Sequence, residues 1–274
     1  MDISLILLVA SVAVGLFVGV FSGLIGVGGG TILVPAFRLL YGLDPLAATA
    51  TSLLTIIPTS VSGAITHIRN KSCIPAVGVA AGLGGACTSW MGVWLADLSP
   101  AWCVMAAAAA VIFYSAYNMF KKAAALKKPK DGQAASAKTA NEKPVLDLAE
   151  KSSYVKMVAI GAAAGVISGY VGVGGGFIMV PLFLSVLGLP MKKASGTSLI
   201  AVCILAVPAT VMQFMLGNVH LLVGLAVVAG SIPGAAIGAR LQSRVPERTL
   251  RLTFACFLLV AGALLLVREA GLLG

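Results

Sequence analysis

The sequence predicts an all-α polytopic membrane protein made of two homologous, inverted repeats. It should have about eight transmembrane helices plus a short or re-entrant helix in each repeat, up to ten segments in all. Three observations carry this expectation. The 274 residues are 59% apolar and only 10% charged, with a mean hydropathy of +1.03, whereas soluble domains carry roughly a quarter charged residues. One stretch occurs twice, as GVFSGLIGVGGGTILVPAF at 19–37 and GVISGYVGVGGGFIMVPLF at 165–183. The offset of 146 persists downstream, matching Thr51-Ser52-Leu53 to Thr197-Ser198-Leu199, Gly92 to Gly238 and Pro100 to Pro246. A single register held over about 100 residues is an internal duplication. The basic residues fall in the gaps between apolar runs, so the net charge of +10 reads as positive-inside bias and does not point to nucleic acid.

The apolar runs divide each repeat into five segments: 4–25, 31–41, 46–67, 74–96 and 100–120 in the first, and 155–171, 177–187, 194–215, 220–240 and 251–267 in the second. Rich in Ala and Leu and without strict alternation, they read as helices and not as barrel strands. The domain division is an N-terminal transmembrane repeat (1–120), a cytoplasmic linker (121–156) and a C-terminal transmembrane repeat (157–274). The linker carries nine lysines against four acids. The N-terminus lacks the basic region of a signal peptide and is expected to be retained. Residues 31–41, as a helix, reach only about 17 Å, short of the roughly 30 Å hydrocarbon core. Such a segment reaches the midplane more easily than it crosses.

Charge sets the sidedness. With the linker inside, counting back over 100–120 and 74–96 puts Arg69 and Lys71 inside too. If the first two segments of a repeat contribute an even number of crossings, or one re-entrant hairpin, Lys192, Lys193, Arg240, Arg244, Arg248 and Arg251 also fall inside. If the pair counts as one crossing, all six fall outside. The positive-inside rule selects the even count, which inverts the repeats relative to each other and puts both termini outside. Inverted repeats around broken helices are a recurrent plan of secondary transporters, with the substrate near the midplane.

The break is the GVGGG stretch. Gly26, Gly28, Gly29 and Gly30, and their matches Gly172, Gly174, Gly175 and Gly176, permit positive φ and leave N–H groups uncovered just before the short helices that begin at Thr31 and Phe177. A helix N-terminus of this kind suits an anion, although the same glycines also serve a sharp turn or a tight helix crossing. Thr51, Ser52, Thr197 and Ser198 are candidate hydroxyl donors to an oxyanion, or else helix caps and interhelical glue. Three residues are possible accessories. His67 aligns with Gln213 and, beside Arg69 at a helix end, reads as interfacial; Arg38 is either an attraction point at a pore mouth or a snorkelling side chain. Gly84, Thr88 and Gly92, matching Gly230, Gly234 and Gly238, form small-xxx-small ladders for close packing. The five cysteines read as small buried residues, not as metal ligands or redox groups. All nine acids lie at segment ends, in loops or in the linker, so no carboxylate stands mid-membrane for a cation. The expected partners are a small anionic substrate and membrane lipids, with no cofactor, metal or nucleic acid. A channel would share these glycines. An enzyme is disfavoured because the apolar segments carry no acid pair, HExxH stretch or nucleophile and base pair.

The paired GLIGVGGGTILVP and GYVGVGGGFIMVP, followed by ATATSLL and ASGTSLI, resemble the TauE/SafE (DUF81) sulfite and organosulfonate exporter family over both halves. The resemblance implies export of a small sulfur-containing anion such as sulfite, sulfoacetate or another organosulfonate across the bacterial inner membrane. The alternatives are an anion channel or a transporter of another small organic anion.

Overall fold

The computed structural model describes residues 5–125 and 151–269, and every regular element among them is helical. The first repeat contributes α1 (Leu5–Ile25), α2 (Gly30–Tyr41), α3 (Pro45–Arg69), α4 (Pro75–Leu98) and α5 (Ala101–Ala125). The second contributes α6 (Lys151–Val171), α7 (Gly176–Ser185), α8 (Met191–Met215), α9 (Leu221–Leu241), a 3-10 turn (Gln242–Arg244) and α10 (Glu247–Glu269). Five helices, α3, α4, α6, α8 and α9, are long and apolar enough to cross a membrane. α1, α5 and α10, of 21, 25 and 23 residues, also have the length for it. The short α2 and α7, of 12 and 10 residues, reach about 18 and 15 Å.

Local chemistry sets the ends. Pro45 and Pro75 open α3 and α4, where a missing N–H costs nothing. Gly42, at φ +62°, closes α2 with its N–H on the Phe37 carbonyl. α5 runs to Ala125 and α6 starts at Lys151, so helix takes in both ends of the expected linker. Ala and Lys favour that continuation. The linker's middle, 126–150, lies outside the described residues.

α1 and α2 form a hairpin. The Ser11 and Tyr41 hydroxyls hydrogen-bond across it, and Gly29 at its turn lies against Val18 and Ser22. α2 therefore runs back toward the end from which α1 started.

The two repeats exchange partners. α1 packs along α9 and α6 along α4. Gly15, Gly19 and Gly23 of α1 meet the carbonyls of Val227, Ser231 and Ala235, while Gly230, Gly234 and Gly238 of α9 meet those of Val12, Leu16 and Val20. The numbering climbs together on both sides, so the pair is parallel. α6 and α4 repeat the arrangement, with Gly161, Gly165 and Gly169 against Ala81, Gly85 and Ser89. Thr88 stands where the other seam has Gly234, and its hydroxyl donates to the Ala162 carbonyl at 2.8 Å. Lipid tails are as apolar as leucine, so only such close backbone approach, with dispersion contacts along the seam, favours helix association over lipid.

α3 and α8 occupy the centre and run antiparallel, since Gly63 meets Leu199 while His67 meets Gly196. Contacts that recur with the partners swapped define a two-fold relation. Because the equivalent helices α3 and α8 oppose each other, that axis lies across them and not along them.

A side chain in either glycine seam must push two backbones apart. Gly19→Val is expected to destabilise the protein by about 3 kcal/mol or more, seen as a lowered melting temperature in detergent and loss of the monodisperse peak. Gly42→Ala, where an added Cβ meets nothing within 4 Å, should cost only the left-handed backbone strain, about 1 kcal/mol.

Candidate functional site

Both duplicated loops reverse the chain by left-handed glycines. Gly26, Gly28 and Gly29 have φ of +83°, +81° and +87°, and Gly172, Gly174 and Gly175 have +71°, +85° and +67°. Gly30 and Gly176 are already the first residues of α2 and α7. At α2 the ladder begins with the N–H groups of Ile32 and Leu33, both 3.0 Å from the Gly29 carbonyl. The N–H groups of Gly30 and Thr31 therefore stand ahead of it, the usual orphan donors of a helix N-terminus. Pro35 and Pro181 lie inside the short helices, where a proline removes the bond to the carbonyl four residues earlier.

The loops meet at the centre of the fold. Gly30 is in contact with the Val173 backbone, and Gly176 with Gly26 and Val27. Apolar side chains stand between the two N-termini. Ile56 lies against Gly28, Gly30 and Gly174, and Val202 against Gly28, because the glycines let backbones and these side chains close directly on one another.

The hydroxyl donors expected from sequence have backbone partners, and the partnerships are symmetric. Ser52 donates to the Gly172 carbonyl and Ser198 to the Gly26 carbonyl, so each repeat ties the other's loop. Thr51 accepts the His220 N–H at 3.1 Å, and Thr197 accepts the Ile74 N–H at 2.9 Å. Those two residues are the N-caps of α9 and α4, so each threonine caps a helix of the opposite repeat. The cap and glue reading thus describes all four in this conformation.

The accessory residues lie away from the loops. The Arg38 guanidinium donates to the Leu43 carbonyl at 2.9 Å, near the other end of α2. His67 is fully buried and not interfacial. Its Nε2–H donates to the Gly23 carbonyl at 2.8 Å and its Nδ1 faces the Ser72 hydroxyl at 2.7 Å, which gives both ring nitrogens partners inside the bundle. Gln213 accepts from the Asn218 side chain at 2.9 Å, a contact that closes the far end of α8.

Sequence reasoning missed other hydroxyls. Ser22, Ser168, Ser60 and Ser89 are buried and their hydroxyls have no hydrogen-bond partner among the described residues. A buried hydroxyl without a partner costs about 1–3 kcal/mol. Ser22 and Ser168 are equivalents at the offset of 146, one beside Gly29 and one beside Gly175, and Ser60 lies beside Gly28. The signal was present, because both serines stand inside the duplicated stretch, four residues before Gly26 and Gly172. Ser22 lines a small cavity with Val27, Gly29 and Thr31 that gives the centre of a water molecule about 10 Å³ of room.

Interrupted helices that meet inside an exchanged, apolar bundle are the architecture of a multi-pass membrane transporter. The chain belongs to the sulfite exporter TauE/SafE family, whose model matches residues 11–265. Among curated proteins it is 29% identical to the probable membrane transporter protein YdhB of Bacillus subtilis, covering 90% of this chain and 96% of the relative. It is 26% identical to YunE of the same organism over 93% and 96% of the two chains, and 25% identical to a probable membrane transporter protein of Haemophilus influenzae over 90% and 93%. Comparison with solved structures finds no match.

Losing either reciprocal tie should loosen the opposite loop. Ser52→Ala and Ser198→Ala are each expected to destabilise by about 1–3 kcal/mol. Hydrogen exchange should show the loss of protection in 172–176 for the first and in 26–30 for the second. Protection lost only in the mutated repeat would contradict the crossed arrangement.

Proposed function

We propose that this protein is a secondary transporter that exports a small sulfur-containing oxyanion, such as sulfite, sulfoacetate or another organosulfonate, across the bacterial inner membrane. The observation that carries the reading is the meeting of two equivalent glycine loops, each opening a half-length helix, on a two-fold axis across the bundle. If α3 and α8 stand across the bilayer, that axis lies in the membrane plane and the repeats are inverted. Each half then has its own route to the shared centre, and small rearrangements of one half against the other expose it to the two sides alternately.

Two further observations support this. The bundle gathers basic residues at one end: Asn70, Arg240, Ser243 and Arg244 line an open basin of about 410 Å³, and the Lys192 ammonium donates to the Ser243 carbonyl at 2.9 Å. Placed inside, this end satisfies the positive-inside rule and draws anions to the cytoplasmic mouth. Among the described residues the centre carries hydroxyls and helix N-termini but no carboxylate. An inside-negative potential then drives a monovalent anion outward by about 2.3 kcal/mol per 100 mV.

Flux in proteoliposomes tests the reading with sulfite, sulfoacetate, taurine, sulfate, chloride and an uncharged control. Saturable transport of a sulfur oxyanion is expected, and rapid non-saturating conductance would mark an anion channel instead. Gly29→Val, which puts a branched side chain at φ +87° with its Cβ 2.7 Å from Val18, should abolish that transport while the protein still inserts. For topology, Ser243→Cys in a cysteine-free background should be labelled only from the cytoplasmic side. Labelling from the periplasm would refute the inverted arrangement.

A further inference from the structure

We infer that the two loops, though duplicated, are not two equivalent binding sites: the first loop alone holds the anion, through the Ser22 hydroxyl, the Thr31 hydroxyl and the N–H groups that open α2. The inference rests on the transport reading above and names the groups that carry it.

Ser22 sits in the last turn of α1, 1% exposed. Its hydroxyl has no hydrogen-bond partner among the described residues, not even the carbonyl one turn earlier that a helical serine usually takes. It shares its cavity with Gly29 and Thr31. Ser22, with its free buried hydroxyl, and the opening residues of the 12-residue α2 therefore border one small cavity. Together they offer only neutral donors, which suits an oxyanion of low charge and avoids burying a fixed cation beside it.

The second loop differs at the positions that matter. The match of Thr31 is Phe177, fully buried, so a ring stands where the first loop has a hydroxyl. The Gly176 N–H is turned onto the Gly174 carbonyl at 2.8 Å. Ser168, like Ser22, remains without a partner, so the difference lies in Phe177 and in the Gly176 N–H. The second loop thus keeps the fold of the first while its opening turn is apolar and partly closed on itself.

The cavity at Ser22 has room for about one oxygen atom in this conformation. One oxygen of a sulfite or sulfonate group sits there, and the rest of the anion is admitted when this cavity widens.

The test is kinetic, in proteoliposomes containing the full chain, with sulfite and methanesulfonate as probes. Ser22→Ala should raise KM about tenfold, since a hydrogen bond to a charged ligand is lost, while Vmax changes less than twofold. Thr31→Val should raise KM several-fold, and it carries the test alone if Ser22→Ala fails to fold. Ser168→Ala should leave KM within twofold. An unchanged KM in folded Ser22→Ala, or in Thr31→Val where that variant stands in, would overturn the assignment while leaving the transporter reading intact. So would a Ser168→Ala shift as large as that of Ser22→Ala, which would mean two equivalent sites. Wild-type protein with no saturable flux of either probe would overturn the transporter reading and this inference with it.

Discussion

A helix that stops inside a bilayer leaves backbone N–H and C=O groups that lipid cannot satisfy. Much of this structure answers that constraint. The carbonyls of Gly26 and Gly172 take the hydroxyls of Ser198 and Ser52 from the opposite repeat. The N–H groups of Ile74 and His220, at the openings of α4 and α9, take Thr197 and Thr51. Residues that look from sequence like ligands for a passing anion are first ligands for the protein's own interrupted backbone.

The same crossing explains why the glycine seams are so strict. A hairpin such as α1 with α2 buries little by itself, and α2 is too short to reach both faces. α2 packs mainly on α3 of its own repeat and also on α10, and α7 mainly on α8 and also on α5 and α6, while the seams fix α1 to α9 and α6 to α4. The helices that lead into the loops, α1 and α6, are thus each packed along a helix of the other repeat.

Much of the architecture was legible because it is periodic. The offset of 146 announced two equivalent halves, and the short segments announced half-length helices. Close packing of Gly230, Gly234 and Gly238 was legible too. Which helix they meet was not, since a small-residue ladder has no sequence mark for its partner. The site was legible as a region and less so as a list. Thr51, Ser52, Thr197 and Ser198 are duplicated, but so are Ser22 and Ser168. Which pair stays unbonded depends on whether a backbone end from the other repeat comes within reach, and that is a tertiary fact. His67 looked interfacial because Arg69 is near it in sequence; the Gly23 carbonyl that buries it belongs to α1.

The exchange of partners also bears on how the chain is made. α1 is the first described helix to leave the ribosome, and the helix that covers its glycine face, α9, follows about 200 residues later. Until then α1 must wait in the membrane with its notched face against lipid or a temporary companion, and the seam closes only near the end of synthesis. The seam of α4 with α6 can close before it, so the first described helix to be made is among the last to be packed.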